Sequence, residues 1–232
     1  MGENIGEKRW TNEQKKEIYN SRVDATDTII KMLQSLDTKP EVFISTSATG
    51  IYGDSKQTKT ETSKAGSDFL SKVCKAWEEV VEVNKDEYKR FAILRVSMVL
   101  GKGGAMKKML TPFKLGIGGE IGSGEQYMSW IHVEDLANMY IKVLEDKSLS
   151  GVFNACGNYS VTNSQFTETL GKILRKPTVF KVPKFALNLA MGEMSTIVLS
   201  SSKVEPTKFK SINFHYLYPT LELALKDVVS QI

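Results

Sequence analysis

The stretch Val42-Phe43-Ile44-Ser45-Thr46-Ser47-Ala48-Thr49-Gly50-Ile51-Tyr52-Gly53 decides the fold. A short apolar run opens at once into small hydroxylated side chains, which predicts a buried strand followed by a loop. In open α/β sheets ligands bind beyond the carboxyl ends of strands, where small residues allow close approach and hydroxyl groups can donate. Ser45, Thr46 and Ser47 are therefore candidate binding residues. A polar turn after a buried strand explains the segment equally well.

Strands and helices alternate outward from this stretch. The other predicted strands are residues 91–101 and 151–155, and the predicted helices are residues 11–36, 67–83, 131–144 and 162–174. Strands separated by helices predict an α/β fold with a parallel sheet. The glycine-rich stretch 101–130 predicts mobile loops. Its lysines are consistent with an anionic substrate and equally with a surface that faces solvent. From residue 183 onward the pattern predicts a small, mainly helical cap.

One charge is out of place on the first predicted helix, whose apolar face comprises Ile18, Ala25, Ile29, Leu33 and Leu36. At 100° per residue, Arg22 lies about 40° from Ile18 and about 20° from Ile29, at the edge of the face that should meet the core. A cation there needs an anionic partner. The functional interpretation is a phosphate of a bound nucleotide. The alternatives are a salt bridge to a carboxylate and a snorkelling side chain.

Composition excludes several classes of protein. The 232 residues are 41% hydrophobic and 25% charged with a net charge of +4, which rules out disordered, collagen-like and coiled-coil chains. The small positive charge does not indicate a nucleic-acid partner. Two cysteines and two histidines give no disulfide framework or metal motif and favour a reducing compartment. No apolar run approaches a membrane span and the first residues lack a signal peptide, so we expect no membrane partner and a cytoplasmic or organelle-matrix location.

Ordered motifs along the whole chain carry a family resemblance. They are Gly2-Glu3-Asn4-Ile5, Arg9-Trp10, Ser21-Arg22, Ser47-Ala48-Thr49-Gly50, Asp68-Phe69-Leu70, Val99-Leu100-Gly101, Leu115-Gly116-Ile117-Gly118-Gly119, Trp130-Ile131-His132 and Gly192-Glu193-Met194. The chain resembles the atypical short-chain dehydrogenase/reductase proteins of the epimerase family protein 39U member 1 type and their YfcH-like bacterial relatives.

The resemblance implies a fold and a cofactor. Residues 1–180 would be a partial Rossmann-type NAD(P)-binding domain, like that of NAD-dependent epimerases and dehydratases, and residues 181–228 a family-specific C-terminal domain of unknown function. The cofactor of the family is NADP. Its contacts include a Glu five residues before the helix Arg, that Arg, and the Val of the Val-Leu-Gly turn, which fall on Glu17, Arg22 and Val99. Arg22 would pair with a cofactor phosphate, and Val99 would offer an apolar surface near the nicotinamide.

Two departures from the family pattern change the expectation. The family's glycine-rich loop and two strands precede Gly2-Glu3-Asn4-Ile5, the segment at which this sequence starts. We therefore expect a doubly wound parallel sheet that is truncated at its N-terminal side, with an open edge at residues 42–45 and weakened or lost NADP binding.

The second departure concerns acid/base chemistry. Catalytic short-chain dehydrogenases use Tyr-x-x-x-Lys on a helix, and Leu70 and Cys74 occupy those positions. The position of the Ser or Thr of the extended short-chain dehydrogenases holds Ala48, one residue after Ser47, and the family that this chain resembles shares this loss. Ser47 and Tyr52 remain as catalytic candidates, with His132 and Asp135 as weaker ones. Three hypotheses follow: an NADP-dependent oxidoreductase or epimerase-like enzyme with an unknown small-molecule substrate, a non-catalytic NADP-binding or sensing protein, and an inactive fragment.

Overall fold

The computed structural model describes residues 2–232, apart from the side chain of Ala105. The α-helices are α1 (Asn12–Gln34), α2 (Phe69–Val83), α3 (Gly104–Lys114), α4 (Val133–Glu145), α5 (Asn163–Leu174), α6 (Lys184–Met191), α7 (Thr196–Leu199), α8 (Thr207–Ser211) and α9 (Leu221–Ser230). The strands are β1 (Phe43–Ala48), β2 (Ser55–Lys59), β3 (Phe91–Val96), β4 (Met98–Leu100), β5 (Gly119–Ile121), β6 (Tyr127–Met128), β7 (Trp130–His132), β8 (Gly151–Ala155), β9 (Val161–Thr162), β10 (Phe180–Val182) and β11 (Ser202–Val204). Short 3₁₀ helices cover Thr49–Tyr52, Lys85–Glu87 and Gly192–Ser195.

A parallel three-stranded sheet forms the centre of the molecule. The strand order is β1-β3-β8, with Ser45 opposite Ile93 and Leu94 opposite Phe153. β3 is buried because it has a strand on each side and helices on both faces. Ile93 packs with Val81 of α2 on one face. On the other face Leu94 lies in the same core cluster as residues of α4. The predicted α/β, Rossmann-type sheet is confirmed.

β1 lies at an edge of this sheet, as the sequence predicts. Within residues 2–232 it pairs with β3 only, so one row of its backbone N–H and C=O groups has no strand beside it. The strand is also longer than predicted. It continues to Ala48 because the backbone pairing with β3 runs on through the hydroxylated residues.

α1 begins as predicted, but the apolar face predicted for it is wrong. The Thr11 side chain accepts a hydrogen bond from the backbone of Gln14 and caps the helix. Ile18 and Ile30 are fully buried, whereas Ile29 and Leu36 are 50% and 52% exposed. The reason is that α1 packs chiefly on α2, and this neighbour selects a face rotated away from the predicted apolar stripe.

The glycine-rich region is more ordered than predicted. Residues 104–114 form α3 and residues 119–121 form β5, which replaces the expected loops. The predicted strand 91–101 is divided at Ser97, whose backbone N–H donates to the carbonyl of Ala155. Beyond this break β4 leaves the central sheet and pairs in parallel with β7. Ile131 therefore lies in a strand, and the helix predicted from that residue begins at Val133.

The C-terminal region is mainly helical and shares cores with the preceding residues. α9 packs against α5, and Leu225 lies in one cluster with Trp130 and Leu100. β10 and β11 pair with β5 and β2, respectively. The division of the chain at residue 180 stays a prediction.

Candidate functional site

Arg22 lies on α1 beneath the N-terminal segment of the chain. Its guanidinium donates to the carbonyl oxygens of Ile18 at 3.0 Å and Glu3 at 3.1 Å, and lies 5.7 Å from the centre of the Trp77 ring. Burial lowers the pKa of Arg22 from its ordinary value. The negative charges of the ionised Cys74 and Glu3 side chains act in the opposite direction but do not cancel this decrease. No carboxylate of residues 2–232 forms an ion pair with it. Half-buried cations without a carboxylate are suited to bind an anion.

Glu17 lines a surface groove beside Arg22. The groove has a volume of about 550 Å³ and is lined by Glu3, Glu13, Lys16, Glu17, Asn20 and Ser21. Glu3 and Ser21 also contact Arg22, so the groove and the guanidinium are neighbours. Ionised carboxylates accept hydrogen bonds and repel phosphates, so the groove suits a hydroxyl or amide donor and Arg22 suits the anion. Glu17 therefore lines a groove next to Arg22, and a cofactor contact from either residue stays a prediction from the family resemblance.

The three hydroxyl side chains of β1 do not form one site, because successive residues of a strand point to opposite faces. Ser45 is buried, and the Ser47 hydroxyl donates to Glu78 of α2 at 2.6 Å. Thr46 is exposed and bonds to Tyr140 of α4, on the other face. The prediction that these residues follow the strand is wrong, since the ladder with β3 includes all three.

A buried polar network fills the space between α2 and the carboxyl ends of the strands. Arg95 makes two hydrogen bonds to the Glu78 carboxylate, at 2.9 and 2.7 Å, and a third to the Tyr52 hydroxyl at 2.8 Å. Tyr52 in turn donates to Asn154 at 2.7 Å. Ser47 and Tyr52 are 2% and 4% exposed. Burial raises the pKa of Tyr52, which holds the proton on the phenol, whereas a phenolate base needs a lowered pKa.

Val99 lies on the face of the sheet opposite to Arg22. It is half-buried in β4, beyond the carboxyl end of β3, and packs in the same cluster as Tyr140. Arg22 belongs to the helical layer of α1 and α2. One ligand reaches both residues only by crossing the carboxyl edge of the sheet, which is where open α/β sheets bind dinucleotides.

The other sequence candidates hold the C-terminal region in place. The fully buried His132 contacts Asp227 of α9 through Nε2 at 3.1 Å, and its Nδ1 accepts from the backbone of Glu134. The Asp135 carboxylate accepts from the backbone N–H groups of Leu217 and Tyr218. Cys74 is buried, and burial raises the pKa of its thiol to about 11.

Sequence reasoning missed three charged residues of the buried network. Arg95 interrupts an apolar strand and Glu78 interrupts an apolar helix face, so the argument applied to Arg22 could have found both. Glu61 has no such signal, because it lies in a polar loop. Its carboxylate accepts from the backbone of Asn154 and Lys208, which are distant in sequence.

Metal ligation and membrane crossing also bear on the site. No group of three or more His, Cys, Asp or Glu side chains in the described part of the chain is arranged to hold a metal ion. None of the helices over residues 2–232 combines the length and apolar character needed to cross a bilayer.

Comparisons with known proteins agree with this geometry. Residues 1–156 match the profile of the NAD dependent epimerase/dehydratase family, and residues 182–228 match a domain of unknown function, DUF1731. The chain is 37% identical over 226 residues to the chloroplastic epimerase family protein SDR39U1 homolog of Arabidopsis thaliana, covering 95% of the chain but 65% of that relative. It is 38% identical to epimerase family protein SSP1921 of Staphylococcus saprophyticus, covering 96% of the chain and 76% of the relative.

A solved structure extends the match to three dimensions. The crystal structure of human epimerase family protein SDR39U1, isoform 2, with NADPH matches the whole chain and 80% of the human one, with a TM-score of 0.94 and 32% identity. The chain belongs to the NAD-dependent epimerase/dehydratase family, in the group represented by SDR39U1.

Proposed function

We propose that this protein binds NADP(H) and belongs functionally with the oxidoreductase and epimerase-like members of its family, with a small-molecule substrate still to be identified. One observation carries the proposal: Arg22 presents a half-buried guanidinium that donates to two carbonyl oxygens and forms an ion pair with no carboxylate of residues 2–232. It lies beside a polar groove whose lining includes Glu17. The human relative whose crystal structure contains NADPH supports the identity of the ligand.

The surroundings of Arg22 fit a phosphate. A Cβ atom at Gly2 would lie 2.9 Å from the guanidinium carbon, so glycine leaves room for the Arg22 head group. In the proposal Arg22 binds a cofactor phosphate, and Glu17 accepts hydrogen bonds from cofactor hydroxyl groups. Val99 packs against the apolar face of the nicotinamide. When bound, the cofactor supplies or accepts a hydride.

The hydroxyl groups of β1 differ in how easily a ligand can reach them. Thr46 is exposed on the edge strand, and its hydroxyl, now hydrogen-bonded to Tyr140 of α4, can exchange that partner for a ligand. Ser45 is buried, and its nearest acceptor is the adjacent carbonyl of Thr46 at 3.5 Å. A contact from Ser45 therefore requires the strand edge to move.

A second candidate function is that of a non-catalytic NADP-binding protein. It is favoured because the usual acid/base groups are replaced and the remaining hydroxyl groups already have partners. The positions of the Tyr and Lys of catalytic short-chain dehydrogenases hold Leu70 and the buried Cys74. The hydroxyl groups of Ser47 and Tyr52 are already bound within the buried network. Hydride exchange from NADPH to a library of carbonyl compounds separates the candidates: turnover supports the enzyme, and binding without turnover supports the second candidate.

The test of cofactor binding is a fluorescence titration with NADPH, for which Trp10, Trp77 and Trp130 are donors. This chain is compared with a version that has a glycine-rich βαβ unit of a relative fused ahead of Gly2. Because pyrophosphate binds at a helix N-terminus after such a loop, the fusion should bind at least about tenfold more tightly than the chain alone. Saturable binding by the fusion is the expected result. Absence of binding in both proteins would overturn the proposal.

A further inference from the structure

A patch of exposed apolar side chains lies on α6 and the segments beside it. We call it the α6 patch, and its members are Leu115, Ile117, Val179, Phe180, Phe185 and Leu189. Their exposed fractions range from 50% at Phe180 to 78% at Val179 and Leu189. Contiguous apolar surface of this kind marks an interaction site in a folded protein.

Strand pairing brings the two halves of the patch together. β10 pairs with β5 in parallel, so Phe180 lies opposite Gly119 and close to the segment that contains Ile117. The approach is tight, because a Cβ atom at Gly119 would overlap the carbonyl oxygen of Phe180. Phe185 and Leu189 are four residues apart on α6 and therefore lie on one side of that helix. No residue of α6 is buried.

Basic residues outnumber acidic ones around the patch. Residues 107–119 and 175–191 together contain seven of the 31 basic residues of the chain and none of its 27 acidic residues. The seven are Lys107, Lys108, Lys114, Arg175, Lys176, Lys181 and Lys184. Among them, only Lys181 forms an ion pair within residues 2–232, with Glu120 at 3.2 Å.

We propose that the α6 patch binds the protein to an anionic lipid surface. Apolar side chains on an amphipathic helix insert at the boundary between head groups and acyl chains, and lysines beside them meet lipid phosphates. Lys184 is placed for this, since its aliphatic stem lies over Gly122 and its ammonium group is free to reach outward. A purely apolar protein partner would leave the excess of basic residues without a role. The sequence-based expectation of no membrane partner rested on the absence of a spanning run and on a net charge too small and too scattered to indicate a membrane surface. The fold brings basic residues from two separate segments together around the patch.

Cosedimentation with vesicles tests the proposal. The purified chain is mixed with vesicles of phosphatidylcholine alone, or with about 30% phosphatidylglycerol to supply a negative surface. We expect binding to the anionic vesicles that is at least about tenfold stronger than to the neutral ones and that weakens as salt screens the charges. Equal or absent binding to the two vesicle types would overturn the proposal.

Two double variants and a matched control locate the binding surface. Phe185→Asp with Leu189→Asp, and separately Lys176→Glu with Lys184→Glu, should each weaken binding to anionic vesicles about tenfold or more. All four positions are exposed, so thermal melting should be unchanged. The control, Met32→Asp on α1 with Leu36→Asp just beyond the C-terminal end of that helix, alters exposed apolar residues outside the patch and should bind as the wild type does. An equal loss in the control would contradict the assignment.

Discussion

Two arginines of this protein illustrate two different uses of a cation. Arg95 is 8% exposed and makes a bidentate pair with Glu78; burial alone would lower its pKa, but the carboxylate more than offsets this and raises the pKa above its ordinary value. Arg22 is half-buried, is bonded to carbonyl oxygens, and has a lowered pKa because burial is not balanced by an adjacent carboxylate.

The difference teaches where a ligand belongs. The donors of Arg95 are satisfied by the protein, which fixes α2 to the central sheet and leaves nothing for a bound anion. The guanidinium of Arg22 forms no ion pair with a carboxylate of residues 2–232 and lies next to an open groove. We therefore assign a structural role to the network of Arg95 and a binding role to the surroundings of Arg22.

The largest expected effect is a loss of stability when the buried network around Arg95 is broken. Arg95→Met leaves the Glu78 carboxylate buried without its partner, which should lower the free energy of unfolding by about 3–5 kcal/mol. Urea denaturation measures this change. Lys142→Met is the control: it removes an exposed ion pair with Asp146 and should cost about 0.5 kcal/mol. A loss from Arg95→Met as small as that of the control would mean that the network is not structural.

The rate of cysteine alkylation shows whether Cys74 is an inert buried thiol or a reactive nucleophile. Because burial raises the pKa of Cys74 to about 11, the thiolate fraction at pH 8 should be lower by about a hundredfold or more than in the unfolded chain. Iodoacetamide labelling of Cys74, followed by mass spectrometry, should be correspondingly slow until urea is added. Rapid labelling of the native protein would instead support a catalytic role for this residue.

A smaller effect is expected from Tyr52→Phe. The change removes a hydroxyl that bonds to Arg95 and Asn154 while keeping the ring, so the loss of stability should be about 1–2 kcal/mol. NADPH affinity should not change. If a hydride-transfer activity is found and this variant abolishes it without altering stability, Tyr52 is a catalytic residue and its place in the structural network is secondary.

Local signals predicted much of the fold from the sequence. The cap at Thr11 and the apolar strand at residues 91–96 depend on a few neighbouring residues, and the structure has both as expected. Of the two caps that the sequence allows for α2, Ser67 and Asp68, the structure has Asp68. The buried face of α1 depends on which helix packs against it. The spacing of apolar residues along α1 does not contain that information. α3 escaped prediction because glycines at its start and Pro112 within it obscure the helical pattern.

The site was predictable only in part, for the same reason. Arg22 was found because a charge on an apolar helix face is a local anomaly. The position of Val99 on the opposite face of the sheet required the topology of β4 and β7. The hydrogen-bond partners of Glu61 come from two segments that are distant in sequence. Only the folded structure therefore shows that this residue belongs to the network.

The most direct test of the binding role of Arg22 is an NADPH titration of the fusion protein and two of its variants. Arg22→Gln removes the proposed phosphate contact, whereas Arg90→Gln removes an arginine that also donates to two carbonyl oxygens but lies at the amino end of β3. Because hydrogen bonds to charged groups contribute about 1.5–3 kcal/mol, Arg22→Gln should weaken binding about tenfold or more. Arg90→Gln should bind like the parent. Equal affinity of the Arg22→Gln variant and the parent would contradict the account.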